Sequence, residues 1–245
     1  MTIFRQLFLI AAIAGLLAGI FVTGVHQVAT VPVILAAEVY ENAADAAAEA
    51  PMAEPIADMA ADPSASQEHH HDASAWAPAD GLERTLFTGL ADILTGIGFS
   101  LLLVSAYAFL GRDVDWRRGF SWGLAAFAVF TLAPNLGLPP EVPGTEAAPL
   151  LDRQLWWLAT VVLTAGGLAL VFLKRERTAI WHVLAVAMIV LPHAIGAPQP
   201  AEHASAAPEF LAQRFIVAAT VTSLLFWLAI GTLTGYFYKR MFRPA

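Results

Sequence analysis

Three consecutive histidines, His69, His70 and His71, stand between Glu68 and Asp72 in a stretch otherwise rich in alanine, proline and acids. Neutral imidazoles bind borderline divalent ions, and the flanking carboxylates add charge attraction. Read as chemistry, the tract gathers metal; read structurally, it is an acidic loop that happens to contain histidines. A second group lies in LPHAIGAPQPAEHASAAPEF, where His193, Glu202 and His203 share a segment with prolines at 192, 198, 200 and 208. Those prolines keep the segment from forming a regular helix. Two imidazoles and a carboxylate match a divalent transition metal with open coordination positions. Ligands this far apart in sequence meet only if the loop folds back, so a structured loop with interfacial histidines stays an open alternative. His26, followed by Gln27, is either a ligand or a marker of the membrane interface. Asp92 stands inside an apolar run. A carboxylate there is costly and is a functional candidate by default; the structural alternative is satisfaction by Arg84 or a neighbouring Ser or Thr. His182, beside Trp181 and a basic loop, is read as interfacial.

These residues must be positioned by an unusually apolar chain, 58% hydrophobic and 13% charged over 245 residues. Such a composition fits a polytopic membrane protein. A bilayer core needs roughly 20 apolar residues per helix. Six stretches qualify, at about 7–28, 86–110, 119–134, 155–173, 179–195 and 215–238. The third and fifth are short and end in proline-containing turns.

The basic residues orient these spans. With the N-terminus inside, the inner segments hold Arg5, Arg112, Arg117, Arg118, Lys174, Arg175, Arg177, Lys239, Arg240 and Arg243. The outer segments hold only Arg84, Arg153 and Arg214. The bias places both termini in the cytoplasm and the His69–His71 loop outside. Six of the seven histidines then face outward, His182 being the exception. The expectation is an all-α, polytopic membrane helix bundle of about six transmembrane helices, one integral membrane domain over residues 1–245. The first span outruns a signal-peptide core of about 7–15 residues and is read as an uncleaved helix. Residues 40–76, poor in large apolar side chains, are expected to form a disordered external loop.

Several classes fall away. The absence of cysteine excludes disulfides, thiolate zinc sites and Cys–His nucleophiles. No nucleotide loop, nucleophile elbow or H-E-x-x-H motif occurs, and no basic patch suggests nucleic acid. The G-x-x-x-G spacings of Gly15 with Gly19 and Gly231 with Gly235 suit close helix packing, though they are common by chance.

The chain resembles, over its full length, the CbtA family of cobalt transporter subunits. The resemblance rests on HQVATVPVILAAEVYE after the first span and on HHH followed by WAPADGLERTLFT. It continues through ADILTGIGFSLLL, FTLAPNLGLPPEVPG, RQLWWLATVV and LPHAIGAPQPAEHASAAPEFLAQRF. It implies a protein of the bacterial cytoplasmic membrane linked to cobalt uptake and cobalamin supply. It also implies a small single-span, histidine-rich companion of the CbtB type. It implies no ligand set; that comes from the residues themselves. Co²⁺ is expected as the transported ion, with Ni²⁺ chemically compatible and no tightly bound cofactor. The tract gathers the ion, and His26, Asp92, His193, Glu202 and His203 are expected to converge on one external-facing cavity that receives it. Two alternatives stay open: a non-transporting, metal-recruiting accessory or scaffold, and a metal-dependent membrane enzyme. Seven histidines, three of them in one tract, are few for the enzyme.

Overall fold

The computed structural model describes residues 3–49, 78–111, 113–173, 179–201 and 204–242. Among them the order is α1 (Ile3–Ala29), α2 (Val31–Glu49), α3 (Leu82–Phe109), α4 (Trp116–Phe127), a π-helical turn (Ala128–Leu132), α5 (Ala133–Asn135), α6 (Leu150–Leu173), α7 (Ala179–Ile195) and α8 (Glu209–Met241). All six apolar stretches are helical. Four of the helices, α1, α3, α6 and α8, are long and apolar enough to cross a membrane. At about 1.5 Å per residue, the 27 residues of α1 reach about 40 Å, more than a hydrocarbon core. The apolar α7 is shorter, at 17 residues.

The sequence explains the third stretch. Asp115 caps α4, its side chain accepting the Arg118 N–H at 2.9 Å. That hydrogen bond, chiefly, holds the Asp115 carboxyl below the usual carboxylate range. Further on, Pro134 has no N–H, and its ring crowds the carbonyl of the preceding turn. The helix widens into its π turn just before that proline. The widened turn presents Thr131, whose hydroxyl accepts the Trp227 indole N–H at 3.1 Å.

Glycines set the helix pairs. A side chain on Gly15 would strike the backbone of Gly96 and Ile97, and one on Gly19 the backbone of Ile93, so α1 and α3 pack in backbone contact. On the other side, Gly119 and Gly123 of α4 meet Gly231, Gly235 and the Trp227 backbone of α8. Such small-residue seams supply the van der Waals contact that joins helices in a bilayer. Between the seams, Phe99, Phe130 and Trp227 pack ring to ring, with Phe130 and Trp227 stacked at 5.2 Å. Tyr107, wholly buried, meets the Thr234 hydroxyl at 3.2 Å. The α6–α7 hairpin packs through Gly167 against Ala185 and Ile189 and joins the rest chiefly through α5 and the π turn.

Residues 40–49, expected on composition to belong to a disordered loop, are helical and complete α2. The reason is local. ENAADAAAE lacks large apolar residues but is rich in alanine, the strongest helix former. Upstream, Val33 and Ala37 are buried, and Ala37 packs with Val142 and Ala207. Those two loops are tied to each other by an antiparallel bridge between Thr145 and Ser205. The helix is thus anchored through its N-terminal half. The remainder of the 40–76 loop, His69–His71 included, lies outside the described residues.

Candidate functional site

Among the described residues, the seam between α1 and α3 leads to the one place where expected site residues meet. Thr23 and His26 lie on the last turns of α1 facing Asp92 of α3, and Thr30 follows at helical spacing just past the helix end. His26 Nε2 lies 3.8 Å from Asp92 Oδ1, with the side chains 29% and 18% exposed. The Thr23 hydroxyl donates to Asp92 Oδ2 at 2.9 Å and approaches the Gly19 carbonyl at 2.8 Å. His26 Nδ1 is hydrogen-bonded to Thr30 Oγ1 at 2.7 Å.

Arg84, a structural candidate for neutralising Asp92, is engaged elsewhere. Its guanidinium forks onto Glu38 of α2, with one bond at 3.0 Å, and also meets Asp80 at 3.1 Å. It therefore fastens α2 to the start of α3, two turns from Asp92. Among the described residues, Asp92 is met by the Thr23 hydroxyl and the His26 imidazole.

His193 is placed apart from this pair. Its ring stands edge-on to Trp156 of α6 with centroids 5.7 Å apart, and the Trp156 indole N–H donates to the Pro192 carbonyl at 3.2 Å. Its Nε2 is buried without a hydrogen-bond partner among the described residues. Those residues contain no group of three or more His, Asp or Glu placed to hold one ion. The structure thus joins His26 to Asp92 and does not bring His193 to them. His69, His70, His71, Glu202 and His203 lie outside the described residues. Close to Ala201 and Ala204, the loops enclose a cleft of about 190 Å³, lined in part by Glu141, Glu146, Arg153 and Gln199. Within it Arg153 is paired with Glu141 at 3.1 Å.

The pair suits a small divalent cation. For Zn²⁺, a first-row ion of the same charge, bonds to imidazole nitrogen and carboxylate oxygen are about 2.0–2.2 Å. One such ion can touch atoms up to about 4.2 Å apart. The observed 3.8 Å is within that reach, and modest side-chain movement closes the angle. Two protein ligands leave the remaining positions to water, which suits a site an ion must also leave. Thr23 and Thr30 were not singled out from sequence, although their spacing around His26 placed them on its face.

Long apolar helices in backbone contact define the class: this is a helical membrane protein. Over residues 4–239 the chain matches the family described as "Probable cobalt transporter subunit (CbtA)". That is nearly its whole length, and the chain belongs to the CbtA family. No curated protein and no solved structure matches it.

Proposed function

We propose that this chain is the membrane subunit of a cobalt uptake transporter that supports cobalamin synthesis, and that His26 and Asp92 are the first fixed ligands an incoming ion meets. The observation that carries the reading is the pair itself: a half-buried carboxylate inside a membrane helix, faced by an imidazole nitrogen at 3.8 Å. Its charge is expensive to hold in a bilayer without a cation. The family membership supplies the cargo, Co²⁺, and the donor atoms accept Ni²⁺ as well.

The basic-residue bias puts this end of the bundle outside and both termini in the cytoplasm. In this reading α7 and the α4–π–α5 segment complete six spans of the bacterial cytoplasmic membrane. His69–His71 gather ions outside, and Glu202 and His203, from the outer loop after α7, contribute to the external-facing site that receives them. A small single-span, histidine-rich companion of the CbtB type completes the transporter. The cysteine-free chain makes the orientation easy to check. A single cysteine at Asp80 is expected to react with a membrane-impermeant maleimide on intact cells, and one at Asp113 only after lysis. The reverse pattern would invert the topology and put the pair on the wrong side for uptake.

A gathering tract raises local supply without being the route. Replacing His69, His70 and His71 together by alanine is therefore expected to raise the cobalt concentration for half-maximal uptake several-fold at unchanged maximal rate. Initial uptake rates over a range of cobalt concentrations measure this. An equal loss at every concentration would place the tract in the route and contradict its role as a collector.

A further inference from the structure

Two threonines decide which atoms of the His26–Asp92 pair face each other. Thr30 is the single residue between α1 and α2 and is 3% exposed. Its N–H donates to the His26 carbonyl at 3.1 Å, and its carbonyl accepts from Val33 and Ile34 at 3.1 and 3.0 Å. The residue is therefore held from both helices. Its Oγ1 donates to the His26 carbonyl at 3.4 Å and lies 2.7 Å from His26 Nδ1. A hydroxyl has one hydrogen to give. When that hydrogen turns to the carbonyl, Nδ1 donates to Oγ1 and Nε2 carries the lone pair, which is the tautomer a cation at Nε2 requires.

Thr23 does the complementary work on Asp92. Its single hydrogen is shared between the Gly19 carbonyl and Asp92 Oδ2, and the charged oxygen is the stronger acceptor. Oδ2 is thereby engaged and Oδ1 is left facing His26. The two atoms left over, Nε2 and Oδ1, stand 3.8 Å apart, too far for a hydrogen bond, and in that tautomer both offer lone pairs.

We infer that Thr30 and Thr23 are positioning residues that select Nε2 of His26 and Oδ1 of Asp92 as the two donor atoms for a divalent cation. This rests on the proposed role of the pair. A hydrogen bond to the other ring nitrogen fixes both tautomer and ring orientation, and losing such a partner typically lowers metal affinity about 10–100-fold. Thr30, at the joint, also ties the site to the start of α2.

The experiment uses the purified full chain with His69, His70 and His71 replaced by alanine, so that the tract does not report. Cobalt is titrated by equilibrium binding, and the visible d–d absorption of the bound ion is recorded. Thr30→Val and, separately, Thr23→Val are each expected to weaken binding about tenfold or more. Thr30→Val is also expected to change the d–d envelope, because the freed ring can turn and offer Nδ1. Thr30→Ser and Thr23→Ser keep the hydroxyl and are expected to restore both affinity and spectrum. A purely structural role would reduce the yield of folded protein without moving the affinity or spectrum of what folds. Valine variants that bind with parental affinity and spectrum, or serine variants that fail as the valine variants do, would overturn the assignment. Asp92→Ala separates the two levels. If it too binds like the parent, the pair is no site and both readings fall. If it loses cobalt while the valine variants do not, only the threonines fall.

Discussion

Asp92→Asn is expected to insert at parental abundance and to lose cobalt accumulation at least tenfold. Asparagine matches the shape of aspartate and keeps an oxygen for the Thr23 hydroxyl, so the α1–α3 seam is undisturbed. What disappears is the formal charge and a strong ligand, half of the two-residue donor set. A neutral amide oxygen is a poor replacement in a medium where the carboxylate's charge is weakly screened. An order of magnitude corresponds to about 1.4 kcal/mol, a modest demand on a charged ligand in a membrane. Cobalt content of cells at limiting external metal, normalised to the amount of the chain in the membrane, measures the effect. Parental accumulation by a normally inserted variant would remove the carboxylate from the route.

A large effect on the fold is expected at Gly231. A Cβ there would lie 2.6 Å from Gly123 Cα and closer still to the Gly119 carbonyl oxygen, against backbone that cannot give way as a side chain would. Overpacking a well-fitted core costs typically 1–3 kcal/mol, and here the clash falls on the seam that joins α4 to α8. Gly231→Leu is expected to abolish recovery of monodisperse protein from detergent-solubilised membranes. Gly98 on α3 serves as control, since a Cβ there meets nothing within 4 Å. Gly98→Leu is expected to leave recovery unchanged. Equal recovery of the two variants would show that the α4–α8 seam does not hold the bundle together.

The positions of the helices were legible because an apolar run long enough to cross a bilayer has few other options. The partners of those helices were not. Gly15 with Gly19 and Gly231 with Gly235 announced close packing, but spacing within one helix does not name the helix that meets it. The facing pair Gly119 and Gly123 has the same spacing and lies at the start of a weakly apolar stretch, where it drew no notice. The end of α2 shows a different limit. Composition reported that residues 40–49 could not build a core, which is not evidence against an alanine-rich helix anchored at one end.

The candidate site was half legible for a geometric reason. Topology fixes the side of the membrane on which a residue lies, but says nothing of lateral position. His26 and Asp92 share a level and also a seam, made by Gly15, Gly19 and Gly96. His193 was grouped with them by level alone, and its helix pairs instead with α6, where Trp156 covers the ring. The threonines were the recoverable part. Steps of three and four residues from Thr23 to His26 to Thr30 mark one helical face. A half-buried imidazole on such a face can be oriented by a hydroxyl that lies a turn away.

The central claim, that His26 and Asp92 together take up the ion, is most directly tested by cobalt K-edge X-ray absorption of Co²⁺ bound to the purified full chain. The chain carries alanine at 69, 70 and 71 so that those imidazoles do not contribute. The parent is expected to show a light-atom first shell with the outer-shell scattering of imidazole. His26→Ala should remove the imidazole scattering, and Asp92→Asn should lower the amount of cobalt bound at equal free metal. Unchanged spectra and unchanged cobalt content in both variants would contradict the account.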